Sequence, residues 1–408
     1  MTSRLYYTDS FLYEFDARVI EVADREDSSG KLRAAVILDQ SALYPTSGGQ
    51  PFDTGTLSVA HGSAARVVEV VEDERGDILH LLESRPDWLK VGAALRGSVD
   101  VERRRDHMQQ HSGQHVLSAA FVRLFGMATV SFHLGEEICT IDLDTRAIHP
   151  KQLADAARCA NEVVMEDRQV EIVFADLETA RARGVRKLPD VEREELRLID
   201  IRDFDLTACG GTHVRSTGQI GPILLRKIEN VKQAVRVEFV CGARALATAQ
   251  RDFDALTQAA AVFSAHIWQL PELAERAQDD LKAAAKAQQK LLEEVADLHA
   301  RQWVREAAMV NGGRVISRVV RDRDVAFTKM LAQKIAANGA VALLASTAGA
   351  PTLVFAQPSE MKSNLGDIMK QVLAPAGGRG GGSKDFAQGG VADASAVDQA
   401  LATAQRLL

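Results

Sequence analysis

The chain has 408 residues, 46% of them hydrophobic and 26% charged, with a formal net charge of −7. A chain of this length is too long to fold around one hydrophobic core, so we expect a soluble globular protein with two or three domains. The negative net charge argues against nonspecific nucleic-acid binding over the whole surface. Two basic runs, Glu102–His107 and Arg181–Lys187, remain candidates for a local nucleic-acid-binding surface.

The N-terminus and the cysteines indicate a cytoplasmic protein. Charged residues, among them Arg4 and Asp9, interrupt the first apolar residues, so we expect neither a signal peptide nor a membrane anchor. Four cysteines are too few to form a disulfide scaffold in a chain of this length. A cysteine with a special role is therefore expected to be a metal ligand or a nucleophile.

Residues 1–98 are predicted to form a small β-rich, antiparallel subdomain, because short alternating apolar runs are separated by Gly, Pro and Asp clusters. One separator is the loop Ser41–Gly55, with the sequence SALYPTSGGQPFDTG. Considered by itself, this loop is equally well explained as an ordinary hairpin turn.

Residues 99–242 combine helix and strand. The stretch VERRRDHMQQHSGQHVLSAAFVRLFG repeats at three to four residues, which predicts a helix that ends near Gly126. A second helix is predicted over Lys151–Arg168, and two β-rich runs around Glu229–Lys232 predict a hairpin. Helices carried on a mixed or antiparallel sheet give an α+β fold.

Residues 243–312 are nearly all helix formers, and Pro271 suits a first turn, so two helices are expected to meet there. The second helix carries a heptad-like seam, which predicts a helical hairpin or an intermolecular coiled coil. The seam consists of Ala274, Ala277, Leu281, Ala284, Gln288, Leu291, Val295 and Leu298. Residues 313–408 alternate strand-like and helical pieces, which predicts a separate small α/β domain.

Two pairs of residues have the chemistry of one metal site. His111 and His115 stand four apart on the predicted helix, so both imidazoles leave the same face. Cys209 and His213 are also four apart, across two glycines. Three nitrogens and one sulfur suit tetrahedral Zn²⁺, one ion per chain. His107 extends the histidine series by one turn, so from spacing alone a different histidine pair could bind the metal.

Several motifs together resemble one family. HSGQH with Met108 three residues upstream, CGGTHV, and YPTSGGQPFDTG look like the editing domain of alanyl-tRNA synthetases and of their freestanding paralogues, often called AlaX. The tail GGRGGGSKDFAQGG is similar to the DHHA1-type domain of the synthetase and of long-form AlaX proteins. The likeness covers the whole chain in the same order. Its Met-x-x-His pattern implies that His111, and not His107, is the ligand.

The resemblance implies a deacylase of mischarged tRNA-Ala, with Ser-tRNA-Ala as the substrate and Gly-tRNA-Ala as a second one. The sequence starts almost at the editing domain, so we expect no tRNA charging. The family often has threonine and a third glycine where this chain has Ser41 and Ser47. Gln50 is a candidate for orienting the substrate or water through its amide, and His133 is a candidate for the border of the pocket.

The chemistry leaves alternatives open. Zinc could activate a water molecule, and one of the four ligands would then have to dissociate from the ion. Alternatively, zinc organises the pocket and anchors the substrate. Cys209 as an acyl nucleophile is only a minor alternative, because a thiolate bound to zinc loses nucleophilicity. Two other classes remain as hypotheses: a phosphoesterase, since DHHA1-type domains accompany DHH-family nucleases, and a non-catalytic tRNA-binding protein with a structural zinc.

The glycine-rich tail predicts a second contact with RNA. Gly377–Gly390 holds Arg379 and Lys384 among glycines whose backbone amides could face a phosphate. We expect this segment to be a packed loop that contacts the tRNA backbone, or a surface that pairs with a second chain. A homodimer would form through the helical hairpin or through this C-terminal domain.

Overall fold

The computed structural model describes residues 1–60, 63–186, 195–310, 313–375 and 377–408. They divide into two compact units, Met1–Gln258 and Ala259–Leu408. Helices and strands are mixed in both units, which confirms the predicted α+β class. Within the described ranges, no helix is both long enough and apolar enough to cross a membrane.

The first unit begins with a closed barrel. The strand Glu14–Glu26 alternates buried and exposed side chains over its first half, because it turns one face to the barrel interior, whereas the strand Ile78–Leu82 is buried throughout. The strands are β1 (Ser3–Arg4), β2 (Glu14–Glu26), β3 (Leu32–Leu38), β4 (Gln40–Ser41), β5 (Gly55–Ser58), β6 (Ala65–Glu72), β7 (Ile78–Leu82) and β8 (Ala94–Val99). The barrel closes in the order β2-β3-β7-β6-β5-β8, and β1 pairs with β4 beside it.

The helix that follows the barrel, α1 (Val101–Phe125), organises the rest of this unit. Asp100 caps its first turn by accepting a hydrogen bond from the Arg103 amide, and Gly126 ends it with φ 67°, as predicted. The helix is buried on nearly all sides although many of its side chains are polar. A polar helix in a protein interior needs internal hydrogen-bond partners, and the candidate site described below supplies several of them. The Nδ1 atoms of His107 and His115 are buried without a hydrogen-bond partner in the described part of the chain.

The remaining elements of the first unit surround α1. They are β9 (Thr129–Leu134), β10 (Cys139–Leu143), α2 (Pro150–Met165), β11 (Val170–Ala175), α3 (Leu177–Ala182), β12 (Leu196–Ile201), β13 (Asp205–Ala208), β14 (Ile223–Val231), β15 (Ala234–Cys241) and α4 (Gly242–Val262). They form the sheets β14-β15-β10-β9 and β11-β12-β13. The predicted hairpin is β14–β15, and α2 ends three residues before the predicted Arg168 because the chain turns at Asp167, which has φ 50°.

The second unit is a sheet covered by helices. Its elements are α5 (Leu270–Glu306), β16 (Met309–Val310), β17 (Gly313–Val320), α6 (Val325–Ala337), β18 (Ala340–Ser346), β19 (Thr352–Ala356), α7 (Leu365–Leu373), β20 (Arg379–Gly382), β21 (Phe386–Gly390) and α8 (Val397–Leu407). The sheet order is β16-β17-β18-β19-β21-β20. Pro271 lies in the first turn of α5, as predicted. The predicted glycine-rich loop is instead the antiparallel hairpin β20–β21.

The long helix α5 is buried only towards its C-terminal end. Ala296, Ala300 and Val304 pack into a cluster that includes residues of α6. The leucines of the predicted seam do not: Leu281, Leu291 and Leu298 are 75%, 61% and 67% exposed. The heptad-like seam therefore remains an exposed apolar stripe of the single chain.

Candidate metal centre

Two segments far apart in sequence bring four ligand atoms together. α1 supplies His111 and His115, and the turn after β13 supplies Cys209 and His213. The four ligand atoms all lie within 4.8 Å of one another. We call these residues the His3Cys group. The Cys209 Sγ lies 3.4 Å from the His111 Nε2 and 3.3 Å from the His213 Nε2, so these atoms face a common centre.

The turn that carries Cys209 requires glycine at one of its two glycine positions. A Cβ added at Gly211 would overlap the His111 imidazole and lie 2.9 Å from the Gln50 Oε1. A Cβ at Gly210 would lie 3.5 Å from the Tyr7 hydroxyl, which is an ordinary van der Waals contact. Only Gly211 therefore makes room for a ligand ring.

Gln50 fixes the tautomer of His111. The Gln50 Oε1 accepts hydrogen bonds from the Thr212 amide at 3.0 Å and from the His111 Nδ1 at 2.8 Å, and its Nε2 donates to the Thr212 Oγ1 at 2.9 Å. A backbone N–H can only donate, so the amide oxygen must face it, and the His111 Nδ1 must then carry a proton. The His111 Nε2 lone pair is thereby left free towards the centre of the group.

The other two histidines also face a polar group at Nδ1, within hydrogen-bond distance for His213 and beyond it for His115. The His213 Nδ1 lies 3.1 Å from the Ser112 hydroxyl, which also accepts a hydrogen bond from the Val214 amide. The His115 Nδ1 lies 3.7 Å from a buried Asp205 carboxylate oxygen. Arg186 donates to both oxygens of that carboxylate, at 2.7 and 3.0 Å. Partners of this kind orient metal-binding imidazoles.

Electrostatics within the group favour an ionised sulfur. Burial raises the pKa of the Cys209 thiol, but interactions with His111 and His213 and a hydrogen bond from His115 outweigh it, and the pKa lies well below its ordinary value. Burial lowers the pKa of His213 to about 3. Burial lowers the pKa of His115, but interactions with Asp205 and Cys209 outweigh it, and the pKa lies above its ordinary value. Metal binding requires the thiolate and neutral imidazoles, so it releases any proton that His115 holds.

A buried ion pair attaches the loop of Gln50 to α1. Arg104 is fully buried, and its guanidinium donates to the Asp53 carboxylate, with 3.0 Å between Nε and Oδ2. It also donates to the Ser10 carbonyl oxygen at 2.8 Å. Asp53 in turn accepts from the Tyr44 amide, inside the same loop. The basic run Glu102–His107 thus contributes a structural arginine to this site.

The other residues singled out from the sequence lie outside the His3Cys group. His107 is buried, its Nδ1 is 3.9 Å from Asp53, and burial lowers its pKa to about 4. Ser41 is fully buried, with its hydroxyl 2.7 Å from the His80 Nε2. His133 is exposed on β9, whereas its neighbour Phe132 faces His111 at 5.7 Å between ring centroids.

The predicted RNA-binding residues belong to other parts of the fold. Arg379 and Lys384 are exposed in the hairpin β20–β21 and its turn, in the second unit. In the run Arg181–Lys187, Arg183 pairs with Asp200 and Arg186 with Asp205, while Lys187 lies outside the described residues. The second run therefore includes one arginine that supports the metal centre through Asp205.

Ser112 and Asp205 are the supporting residues that sequence reasoning missed. Ser112 stands between two predicted ligands in HSGQH, and a serine next to a ligand histidine on a buried helix is a usable signal. Asp205 precedes Cys209 by four residues in DLTAC, and a lone aspartate near a strand gives no comparable signal. Only the packing of β13 against α1 brings it to His115.

Comparison with known protein families identifies three parts of the chain. Residues 196–238 match the family described as the threonyl and alanyl tRNA synthetase second additional domain. Residues 2–103 match the class II (A) tRNA synthetases, and residues 323–408 match the DHHA1 domain. The first match includes Cys209 and His213, and the second includes Gln50.

Individual relatives extend the match to the whole chain. Alanine–tRNA ligases of Pyrococcus abyssi and Halobacterium salinarum are each 33% identical over 416 residues, covering 100% of this chain and 44% of theirs. That of Methanoculleus marisnigri is 34% identical and covers 98% of this chain and 42% of its own. The chain thus spans less than half the length of these relatives.

A solved structure, the C-Ala domain of Aquifex aeolicus alanyl-tRNA synthetase, covers 25% of this chain and 96% of its own at 22% identity. Its TM-score of 0.24 is too low to establish a shared fold. The family matches and the full-length identity to alanine–tRNA ligases stand independently of it. On this evidence the chain resembles AlaX-like alanyl-tRNA editing-domain proteins over its whole length, as its motifs indicate.

Proposed function

We propose that the His3Cys group holds one Zn²⁺ and that the protein is a deacylase of mischarged tRNA-Ala. The donor set fits the ion: three imidazole nitrogens and one thiolate suit tetrahedral zinc, and each histidine has a support at its other nitrogen. When bound, zinc polarises a carbonyl or lowers the pKa of a bound water.

The reaction we propose is hydrolysis of the ester between an amino acid and the terminal ribose of tRNA. Such an ester is already activated, so the protein has to bind it, orient it and admit one water. In this scheme Gln50 acts through His111, because its amide oxygen already accepts from His111 and from the Thr212 amide, and its nitrogen donates to the Thr212 hydroxyl. We assign selection of the amino acid to the loop Ser41–Gln50, which Arg104 and Asp53 hold against α1.

The observation that carries this proposal is the convergence of four ligand atoms within 4.8 Å in a chain related to alanine–tRNA ligases. The test is hydrolysis of three substrates by the purified protein: Ser-tRNA-Ala, Ala-tRNA-Ala and a short oligonucleotide. We expect hydrolysis of Ser-tRNA-Ala to be about 10⁴- to 10⁵-fold faster than that of Ala-tRNA-Ala, because a site that pairs the serine hydroxyl leaves a polar group unpaired with alanine. Gly-tRNA-Ala is the proposed second substrate.

The outcomes separate the alternatives. Equal hydrolysis of Ser- and Ala-tRNA-Ala would contradict the proposed selectivity but not the proposed deacylase activity. Cleavage of the oligonucleotide alone would indicate a phosphoesterase, and binding without turnover would indicate a tRNA-binding protein with a structural metal. An acyl group trapped on Cys209 by rapid quenching would favour covalent catalysis.

We further propose that the second unit contacts the tRNA backbone and pairs with a second copy of the chain, in the cytoplasm. The exposed cations Arg379 and Lys384 support the first role. The exposed leucines of α5, Leu281, Leu291 and Leu298, support the second, because they repeat at the spacing of a coiled coil. Light scattering of the full chain and of a Leu281→Lys, Leu291→Lys variant tests the dimer.

A further inference from the structure

Two buried side-chain oxygens of the second unit accept no hydrogen bond within the described part of the chain. They belong to Gln357, which follows β19, and to Asp385, the last residue before β21. The two residues are directly opposite each other, one step beyond the β19–β21 ladder, and the Gln357 amide donates to the Asp385 carbonyl oxygen at 3.0 Å. Opposite residues of a ladder project from the same face, so both side chains lie on one side of the sheet.

The orientation of the Gln357 side chain is fixed. The residue is 3% exposed, and its Nε2 donates to the carbonyl oxygens of Ser363 at 2.6 Å and of Lys384 at 3.0 Å. A carbonyl oxygen can only accept, so the amide nitrogen must face both of them, and the amide cannot be turned over. The Gln357 Oε1 therefore points away from these carbonyls and is left as a buried acceptor.

Asp385 presents a second acceptor beside the first. The residue is partly exposed, but its Oδ1 is buried and lacks a hydrogen-bond partner among the residues that the structure describes. A carboxylate oxygen that has lost its hydration is costly unless a donor or a positive charge compensates it. The two oxygens together therefore require a partner.

The donors nearest in the chain already have partners of their own. The Leu365 amide donates to the Lys384 carbonyl oxygen at 3.0 Å, and the next two amides of α7 donate to the Asn364 side chain. The Lys384 ammonium donates to the Ser359 carbonyl oxygen at 3.3 Å. Because these groups are engaged elsewhere, the partner of the two oxygens has to come from outside the chain.

Two other places with unpartnered buried atoms differ from this one. The Asp53 Oδ1 lies 3.9 Å from the His107 Nδ1, and an Asp205 oxygen lies 3.7 Å from the His115 Nδ1. There a carboxylate faces a ring nitrogen of the same chain, which can donate to it after a small movement. Gln357 and Asp385 instead offer two acceptors on one side of the sheet.

A small hard cation suits these acceptors. Carboxylate and amide oxygens are the ligands that hard cations prefer, and backbone carbonyl oxygens complete such sites in proteins. Both oxygens are buried, which excludes a ligand as large as a nucleotide. The single carboxylate balances one positive charge, and Mg²⁺ usually keeps several waters, which favours a monovalent ion at a buried pair of oxygens.

We infer that the Gln357 Oε1 and the Asp385 Oδ1 bind a monovalent alkali cation, sodium or potassium. The ion lies between the loop 357–364 and the turn 383–385, and we call this place the alkali-cation site. It holds the loop before α7 against the glycine-rich hairpin β20–β21. The site is separate from the His3Cys group, so this inference does not rest on the proposed deacylase function.

The test is hydrogen exchange of the full chain, followed by mass spectrometry, in three chloride salts at equal concentration. The cations are potassium, sodium and tetramethylammonium, which preserves the ionic strength but is too large for a buried site. An ion present at about ten times its Kd should make the peptides with Gln357 and Leu365 exchange about tenfold more slowly than in tetramethylammonium chloride. Peptides of β14 (Ile223–Val231), in the first unit, should exchange equally in all three salts.

A pair of variants assigns the effect to the site. Asp385→Asn keeps the size of the side chain and removes its charge, so the difference between the salts should disappear. Asp324→Asn is the matched control, because Asp324 caps α6 in the same unit, where it accepts from the Phe327 amide at 2.8 Å. Its exchange should depend on the cation as in the parent protein.

Three results would overturn the inference. Equal exchange of the parent protein in all three salts would assign the two oxygens to a buried water. Slower exchange in magnesium chloride alone would indicate a divalent ion, and a salt dependence that persists in Asp385→Asn would place the ion elsewhere. The series on the parent protein needs no variant, so it decides the question even if Asp385→Asn fails to fold.

Discussion

The metal centre of the first unit and the glycine-rich hairpin β20–β21 of the second both owe their shape to glycine, with opposite results. At the metal centre, Gly211 makes room for the His111 ring, and functional side chains converge inwards. In the hairpin, a Cβ at Gly389 would overlap Leu373 of α7, and a Cβ at Gly380 would lie 2.8 Å from the same side chain. There the glycines let a helix approach the sheet.

A cluster of glycines in a sequence therefore indicates that another group packs close to the backbone, but it does not indicate which group. In one place the neighbour is a ligand, and in the other it is a helix. The cations of the hairpin consequently lie on its exposed surface, and many of its backbone groups pair across the β20–β21 ladder. The side chains of the metal centre are fixed from several directions, whereas Arg379 and Lys384 are held loosely. Substitutions at the two places should therefore differ in the size of their effects.

Removing a ligand should abolish metal binding. We expect Cys209→Ala and His115→Ala to lose stoichiometric zinc and to lose deacylation, because three remaining donors leave the site incomplete. Elemental analysis of protein purified without chelator measures the metal. Cys159→Ala, which removes a partly buried thiol outside the group, is the control and should retain zinc. Full zinc retention in both ligand variants would rule out this ligand set.

The two glycines of CGGTH should respond differently to alanine. Gly211→Ala forces a methyl group into the space of the His111 ring, and overpacking of this kind costs about 1–3 kcal/mol. We expect a lower Tm and a zinc affinity reduced at least about tenfold. Gly210→Ala meets only the Tyr7 hydroxyl at 3.5 Å, so its Tm and zinc affinity should match those of the parent. Equal effects of the two substitutions would contradict the packing described here.

The support of His115 should matter less than a ligand. Asp205→Asn keeps the size of the side chain but removes the charge that faces His115 and Arg186, and loss of such a support typically weakens metal binding 10- to 100-fold. Competition with a coloured chelator measures the zinc affinity. Asp200→Asn is a matched control, since Asp200 also pairs with an arginine, Arg183, but contacts no ligand. An unchanged affinity for Asp205→Asn would mean that His115 is oriented by packing alone.

The sequence was sufficient to predict features that depend on local spacing. The i, i+4 histidines on α1, the end of that helix at Gly126 and the helix start at Pro271 all depend on residues a few positions apart. The α+β class followed from periodicity in the same way. These features need no knowledge of the tertiary structure, because helix geometry fixes them.

Features that depend on long-range contacts could not be predicted in this way. Asp205 reaches His115 only because β13 packs near α1, and Gln50 is turned towards His111 by an ion pair between Arg104 and Asp53, 51 residues apart. The sequence predicts a loop for the glycine-rich tail, because glycine is a poor strand former. In the structure these glycines form strands, and α7 packs so closely against them that side chains would not fit.

The smallest effect is expected at the glycine-rich hairpin. Arg379→Ala with Lys384→Ala removes two exposed cations, and with them one exposed hydrogen bond from the Lys384 Nζ to the Ser359 carbonyl oxygen at 3.3 Å. If both contact phosphates, tRNA binding weakens at low salt, and the slope of log Kd against log salt concentration decreases by about one for each lost contact. Fluorescence anisotropy with labelled tRNA-Ala at several salt concentrations measures the slope.

The control removes the same charge elsewhere in the second unit: Lys286→Ala with Lys290→Ala, both exposed on α5. A general electrostatic attraction would give both double variants the same reduced slope. Specific phosphate contacts would reduce the slope in the hairpin variant alone, while zinc content and hydrolysis at saturating tRNA stay those of the parent. Because the hairpin cations are exposed and the metal centre is buried, we expect their loss to change how tightly tRNA is held and to leave the ester chemistry intact.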